Sequence, residues 1–179
     1  MSDPSQVADP GEEPGLNKQG TQTAEQLAEV VLITTSFGGI KQKFFSSKRA
    51  QHLLDCKGLV YYHIDANKDI SKATDFKDIE LLDSWKAQSI LKFSKNGEVV
   101  HLPQVIIDGI PIGDEKVLQD LEDDGDLDYM IARLLCPSCL SDKTADLVQC
   151  DKCKVEYRNI VPPEYVGSIR KLCQGVACE

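Results

Sequence analysis

Residues 102–114 read LPQVIIDGIPIGD, and this segment carries the clearest fold information in the chain. Gln104–Asp108, which has a β-branched run at 105–107, is predicted as a strand. Gly109 starts a tight turn into a second short strand at Ile110–Ile112, so the sequence predicts a β-hairpin. An acidic helix is expected to follow over Asp114–Leu121, because an aspartate is a favourable first residue for capping a helix.

The sequence before this hairpin alternates strands and helices. Val30–Thr34 is another continuous β-branched run and is predicted as a buried strand. Gly58 marks the end of the helix that follows it. Trp85–Val100 is hard to assign, although Asn96-Gly97 favours a turn. The remaining predicted elements are a helix at 40–54, a strand at 59–64, a helix from Ser71 to about Leu82 and a last helix at 127–135.

These elements give the order β-α-β-α followed by β-β-α-α. The first two strands are joined across a helix and are therefore parallel, whereas the last two form an antiparallel hairpin. The sequence thus predicts an α/β protein with a thioredoxin-like, four-stranded sheet and flanking helices. The composition changes to cysteine pairs and short polar segments at about Leu135. We expect a disordered tail at 1–25, the sheet domain at 26–135 and a small zinc-ribbon-like module at 136–179.

The charge balance argues against several classes of function. The 179 residues include 20 Lys plus Arg and 29 Asp plus Glu, which gives a net charge of −9. General binding to nucleic acids or to anionic membranes needs a basic face, so neither is expected. No apolar run approaches the roughly 20 residues of a membrane span, and the N-terminus lacks the apolar core of a signal peptide. A cytoplasmic location is therefore predicted, with the nucleus as the alternative.

Four of the seven cysteines form two C-x-x-C pairs, Cys136/Cys139 and Cys150/Cys153. Two such knuckles place four thiolates in a tetrahedron and close a structural zinc site without an open position for water. In a chain without a signal peptide, this usage favours metal binding, while two disulfides or free thiols are the alternative. Because such a site is closed, it implies a scaffold rather than hydrolytic chemistry. The segment also resembles small zinc ribbons, which implies the fold of this part only.

The hairpin segment resembles the part of glutaredoxins in which a cis-proline precedes the third strand and a Gly-Asp pair opens the next helix. A proline that enters a strand can adopt the cis form and expose neighbouring backbone groups, and a helix N-terminus binds anions. The resemblance implies a glutathione groove in which Leu102, beside Pro103, supplies backbone hydrogen bonds and Gly113 and Asp114 hold the γ-glutamyl end. An empty groove with a structural Pro103 is the alternative.

The chemistry of glutaredoxins needs a thiolate at the turn between the first strand and the first helix. Here that turn reads TSFGG at 35–39 and contains no cysteine. Thr35 and Ser36 cannot replace a thiolate, because disulfide exchange proceeds through sulfur–sulfur bonding. The sequence therefore predicts no catalysis by the usual route, and Thr35, Ser36 and Lys41 are expected only to line the groove.

A turn of this kind, TSFGGIKQK at 35–43, resembles the SH3-binding glutamic-acid-rich-like proteins. Those are thioredoxin-fold relatives of glutaredoxin that lack redox activity and are regarded as adaptors. Their proline-rich SH3-docking segment is not reproduced, since only Pro103 stands there. The glutaredoxin domain-containing cysteine-rich proteins share the layout of a cysteine-less domain followed by a cysteine-rich tail. We therefore predict a non-catalytic adaptor, with a protein partner and a structural zinc.

Two rival functions stay open from the sequence. One is a glutathione-binding sensor or carrier, and the other is an oxidoreductase that uses the C-terminal cysteines. Cys173 and Cys178 would serve either rival, and we interpret them as free thiols. Cys56, expected just past the first helix, is interpreted as a small buried residue. The acidic residues concentrated at 108–128 favour either a solvated face or a basic partner.

Overall fold

The computed structural model describes residues 27–36, 38–66, 76–95, 97, 99–164 and 169–170, and the structural statements below concern this part of the chain. The tail predicted at 1–25, together with Cys173 and Cys178, lies outside the described residues. The helices and strands are, in chain order, β1 (Val30–Thr34), α1 (Lys41–Cys56), β2 (Tyr61–Asp65), α2 (Phe76–Ala87), β3 (Gln104–Ile107), β4 (Ile110–Gly113), α3 (Glu115–Asp123), α4 (Asp126–Ile131) and β5 (Ile169–Arg170).

The strands form one mixed sheet around β1. Leu32 of β1 pairs with His63 of the parallel strand β2 on one side and with Val105 of the antiparallel strand β3 on the other. β4 returns antiparallel to β3, and β5 pairs antiparallel with the outer edge of β2. The strand order is therefore β4-β3-β1-β2-β5. This order confirms the predicted parallel crossover and the predicted hairpin.

Two apolar clusters, one on each face of the sheet, form the core. Successive side chains of a strand point to opposite faces, so β1 contributes to both clusters. Val30 and Leu32 join the cluster covered by α1, α3 and α4, whereas Val31 and Ile33 join the cluster covered by α2. A mixed sheet of this order with helices on both faces is the glutaredoxin-like thioredoxin fold, which confirms the predicted fold class.

Helix α2 continues to Ala87, past the end predicted near Leu82. Trp85 explains the extension, because its side chain is 1% exposed and packs in the cluster under this helix. Its indole N–H also donates to the carbonyl oxygen of Ile160 at 3.1 Å. Trp85 therefore anchors the segment after the cysteine pairs as well as its own helix. The predicted first residue of this helix, Ser71, lies outside the described residues.

Two further boundaries correct the sequence predictions. α4 ends at Ile131 and not at Leu135, and Arg133 just beyond it takes a left-handed φ of 60° that does not continue a helix. α1 extends to Cys56, whose side chain is exposed, so the interpretation of this cysteine as a buried residue is wrong.

The short strand β5 was not expected from the sequence, which predicted a four-stranded sheet. It comes from the C-terminal segment and extends the sheet beyond β2. None of the helices in the described residues is long and apolar enough to cross a membrane.

Candidate metal centre and adjoining cleft

The four cysteines of the two C-x-x-C pairs converge at one point. The sulfur atoms of Cys136, Cys139, Cys150 and Cys153 all lie within 4.8 Å of one another. Cys136 and Cys150 are buried, Cys139 is half-buried and Cys153 is exposed. The sulfurs of Cys139 and Cys150 are 3.6 Å apart, and those of Cys136 and Cys153 are 3.8 Å apart. The four side chains are free thiols that share one small volume.

Each cysteine pair lies in the same kind of backbone turn. The N–H of Leu140 donates to the carbonyl oxygen of Cys136, and the N–H of Lys154 donates to that of Cys150. Leu140 and Lys154 both have a left-handed φ, of 55° and 61°. Each turn is closed by one isolated β-bridge, Leu135 with Asp142 and Gln149 with Glu156. The repeated turn brings both cysteines of each pair to the same side of the backbone.

Hydrogen-bond donors in these turns favour the thiolate form of Cys139 and Cys150. At Cys153 a backbone hydrogen bond from Val155 acts in the same direction, but burial and the neighbouring sulfurs outweigh it and raise the pKa of Cys153 to about 11. The N–H of Cys153 donates to the sulfur of Cys150 at 3.4 Å, and the Ser141 hydroxyl lies 3.1 Å from the sulfur of Cys139. The Cys153 N–H, followed by Ser141, lowers the pKa of Cys150 to about 5. Ser141 also lowers the pKa of Cys139. Such donors stabilise negative charge on sulfur, the form in which cysteine binds metal.

A buried tyrosine hydroxyl faces the same cluster. The Tyr157 oxygen is buried and makes no hydrogen bond of standard geometry with a described residue. Burial, and then the neighbouring sulfurs of Cys136 and Cys150, raise the pKa of Tyr157. A thiol is a weak acceptor, whereas a thiolate is a strong one, so negative charge on these sulfurs would satisfy the buried O–H group.

This donor set fits a zinc ion. A tetrahedron with zinc–sulfur bonds of about 2.3 Å has sulfur–sulfur edges of about 3.8 Å. The sulfur–sulfur distances of 3.6 Å and 3.8 Å are close to that edge. An ion held by all four cysteines would have no open position for a substrate or a water, so its role would be structural. The structure thus brings together the four cysteines that the spacing predicted as ligands.

A buried carboxylate joins the cysteine-rich segment to the sheet. Asp108, between β3 and β4, is 2% exposed and accepts hydrogen bonds from the Arg133 guanidinium at 2.9 and 3.0 Å. It also accepts the N–H of Glu29 at 2.9 Å, and the Lys143 ammonium lies 4.0 Å from its second oxygen. Its backbone carbonyl accepts the N–H of Arg158 at 3.0 Å. Asp108 therefore contacts residues on both sides of the cysteine pairs.

Glu29 holds the end of the same segment against the sheet. One of its carboxylate oxygens accepts the N–H of Ile160 at 2.7 Å and that of Val161 at 3.3 Å. Burial has the largest effect on this carboxyl and raises the pKa of Glu29, with Asp108 adding to the rise while the two N–H donors oppose it. The carboxylate thus pairs with donors in a place where its charge is poorly solvated.

Glutamine at position 29 is expected to make stability less dependent on pH. Because the pKa of Glu29 is raised, the folded protein binds this proton more tightly than the unfolded chain does. Its contribution to stability is therefore lost as the pH rises from the ordinary glutamate pKa through the raised value. Glu29→Gln removes this loss. The difference in the free energy of unfolding, variant minus wild type, will therefore become more positive as the pH rises through that range. Urea unfolding of both proteins at a series of pH values measures the difference.

Glu29→Ala is the matched variant that also removes the acceptor oxygen. It leaves the N–H groups of Ile160 and Val161 unpaired and is expected to cost about 1–3 kcal/mol. The account of Glu29 would be contradicted if Glu29→Gln lost as much stability as Glu29→Ala, or if its stability ran parallel to that of the wild type at every pH.

A cleft of about 300 Å³ lies between the first turns of α1 and the first turn of α3. The Leu102–Pro103 peptide bond at its floor is cis, as the resemblance implied. Asp114 caps α3, because its carboxylate accepts the N–H of Lys116 at 3.1 Å and that of Val117 at 3.3 Å. The lining residues are Gln42, Lys43, Ser46, His101, Leu102, Pro103, Asp114, Glu115 and Lys116.

Only part of the predicted groove lies at this cleft. Leu102, Pro103 and Asp114 line it, whereas the other predicted groove residues, Thr35, Ser36, Lys41 and Gly113, are not among its lining residues. The backbone N–H of Thr35 donates to the Ser47 hydroxyl at 3.4 Å, and that of Ser36 donates to the Asp65 carboxylate at 3.0 Å. Both N–H groups therefore have partners within the chain. A Cβ atom at Gly113 would lie 2.8 Å from the Val117 side chain, which gives that glycine a packing role.

Comparison with known proteins shows structural neighbours of this chain but no matching family. No protein-family model matches the sequence, and no curated protein does. The chain is similar to a buckwheat glutaredoxin–glutathione complex, with a TM-score of 0.38 and 19% identity over 59% of this chain and 78% of that one. It is also similar to the holo form of glutaredoxin C1 from Populus tremula x tremuloides, with a TM-score of 0.36 and 16% identity over 66% of this chain and 86% of that one. The fold assignment rests on the strand order and the two-sided core described above.

Proposed function

We propose that this chain is a non-catalytic, glutaredoxin-like protein-interaction module that is stabilised by a structural zinc ion. The placement of sulfur carries the proposal. Four cysteine sulfurs lie within 4.8 Å of one another in the C-terminal segment, while the turn between β1 and α1 has no cysteine. Thiol–disulfide exchange needs a thiolate at its attacking position, and a closed four-sulfur zinc site offers no free thiolate and no open metal position.

The proposed module comprises a sheet domain at 26–135 and a zinc-ribbon-like part at 136–179. We assign it to a reducing compartment, the cytoplasm or the nucleus, because cysteine pairs that hold zinc stay reduced under such conditions. The partner is a protein. It would bind at the cleft beside Leu102 and Pro103, with the cysteine-rich part as a second surface.

Binding of glutathione at the same cleft is the second candidate. The cleft has the volume of a small-ligand site and is lined by Lys43 and Lys116, which could pair with the two carboxylates of a γ-glutamyl peptide. The cap made by Asp114 weighs against it, because that carboxylate already pairs with two N–H groups at the start of α3. A glutathione sensor or carrier would need this cleft. An exchange enzyme would need Cys173 and Cys178 to act.

Exchange activity with glutathione and a small disulfide separates these candidates. The wild-type full chain is expected to show no turnover above a blank. Gly38→Cys is the informative variant, because Gly38 precedes α1, has no atom within 4 Å of an added Cβ and would place a thiol near a helix N-terminus that favours the thiolate. Turnover gained by Gly38→Cys would favour the second candidate, and no gain would favour the interaction module.

Turnover by the wild type would contradict the main proposal, and its loss in Cys136→Ser/Cys139→Ser would assign the exchange to the cysteine cluster. Titration of the ¹⁵N-labelled chain with reduced glutathione gives an independent result. Saturable shifts confined to the cleft residues would favour the second candidate, whereas no shift at millimolar glutathione would favour the first.

A further inference from the structure

Lys143 occupies an unusual position for a lysine, because its side chain is only 2% exposed. Its ammonium group lies 3.5 Å from the centre of the Tyr157 ring, which is close cation–π contact. The Asp108 carboxylate lies 4.0 Å from the same ammonium group and is itself held by two hydrogen bonds from Arg133. Lysine is rarely buried in this way unless a neighbouring charge compensates it.

After burial, the sulfurs of Cys136 and Cys150 are the main causes that raise the pKa of the hydroxyl group at the far end of the Tyr157 ring. These are the two buried members of the cysteine cluster, and the hydroxyl oxygen is itself buried without a standard hydrogen bond among the described residues. One face of Tyr157 thus contacts a cation, while its buried hydroxyl has no partner of standard geometry among the described residues. A cation over the ring withdraws electron density from the phenol and makes its O–H a stronger donor.

We propose that Lys143 and Tyr157 are positioning residues for the metal centre: the Tyr157 hydroxyl donates to the thiolates of Cys136 and Cys150, and the Lys143 ammonium compensates part of their excess negative charge. This inference rests on the proposed zinc site. Four thiolates carry more negative charge than one divalent ion neutralises, and the excess is costly at the two buried sulfurs, which water cannot reach. Groups outside the ligand set commonly orient the ligands and strengthen metal retention.

Asp108 gives this pair its fixed geometry. Its carboxylate lies 4.0 Å from the Lys143 ammonium, and Arg133 keeps that carboxylate in place. Because Asp108 lies in the turn between β3 and β4, the orientation of the metal ligands depends on the sheet. The long aliphatic part of Lys143 also fills space beside Tyr157, so a test must separate charge from packing.

Cobalt-substituted and zinc-loaded full-length chains provide the test. In Tyr157→Phe, loss of the O–H donor raises the electron density on sulfur, so the sulfur-to-cobalt charge-transfer band will move to longer wavelength. Zinc transfer to a chromogenic chelator will be about 10-fold faster in Tyr157→Phe and in Lys143→Met. This factor is the lower end of the usual effect of mutating a residue that interacts with a metal ligand. Lys143→Arg, which keeps the positive charge, will restore slow transfer.

Two exposed residues of the same types supply the controls. Tyr129→Phe and Lys95→Met remove a hydroxyl and a positive charge at exposed positions outside the cysteine turns and are expected to leave the band and the transfer rate unchanged. If the wild type binds cobalt and Tyr157→Phe gives the wild-type band and rate, the inference is overturned while the zinc site stands. If the wild type takes up neither metal, the proposed function fails together with it.

Discussion

Cys150→Ser is expected to abolish zinc retention and to lower the free energy of unfolding of the full chain by at least about 3 kcal/mol, since zinc binding supplies about 10–16 kcal/mol in small zinc modules. Cys150 is buried, its sulfur accepts the N–H of Cys153, and it lies 3.6 Å from the sulfur of Cys139. A serine hydroxyl stays protonated at neutral pH and is a poor zinc ligand. Elemental analysis after gel filtration measures the metal, and urea unfolding measures the stability.

Cys56→Ser is the matched control for this variant. Cys56 is exposed at the end of α1, where its sulfur lies 3.4 Å from a ring nitrogen of His52. This variant is expected to keep one zinc per chain and to change the free energy of unfolding by less than about 0.5 kcal/mol. Zinc retention by Cys150→Ser at the wild-type level would mean that the cysteine cluster does not hold the ion.

Asp108→Asn is expected to lower the free energy of unfolding by about 3–5 kcal/mol, the cost of removing one partner from a buried ion pair. The substitution preserves the size of the side chain but leaves Arg133 and Lys143 without their shared negative partner. The Lys143 side chain is 2% exposed and cannot turn to water without breaking its contact with Tyr157. Urea unfolding followed by circular dichroism measures the loss.

Asp128→Asn provides the comparison at an exposed site. Asp128 is 71% exposed and pairs with Lys57 at 2.8 Å, and solvent screening limits the worth of such pairs to about 0–1 kcal/mol. The two variants make the same chemical change, so the difference between their losses in the free energy of unfolding measures the effect of burial. Equal losses for Asp108→Asn and Asp128→Asn would rule out the buried network as a link between the cysteine-rich segment and the sheet.

The sequence predicted best those features that depend on neighbouring residues. β1 was predicted at Val30–Thr34, where the structure has it, because five consecutive residues of one character are enough to indicate a buried strand. The hairpin of β3 and β4 followed from the turn at Gly109. The convergence of the four cysteines followed from two short spacings, since a C-x-x-C pair can place both sulfurs on one side of a turn.

Features that depend on distant residues could not be predicted. Glu29 and Ile160 are 131 residues apart, and Glu29 is 79 residues from Asp108. No periodicity or spacing signals such contacts. Lys143 and Tyr157 look like ordinary surface residues in the sequence, and only the packing of the cysteine turns on the sheet brings them together.

The cleft illustrates the same limit within one site. The residues at its floor were predicted from the hairpin segment, whereas its α1 side was predicted at Thr35, Ser36 and Lys41. The α1 residues that line the cleft are Gln42, Lys43 and Ser46, in the first two turns of the helix. Their three-to-four-residue spacing was the available signal, but the rotation of α1 about its axis is set by burial of Ala50 and Leu54 in the core.

Zinc-edge X-ray absorption on the full chain, expressed without added metal and purified under reducing conditions, tests the central claim most directly. The claim predicts one zinc per chain with a first shell of four sulfur atoms at about 2.3 Å. A shell that contains nitrogen or oxygen ligands, or a chain that carries no zinc, would contradict it.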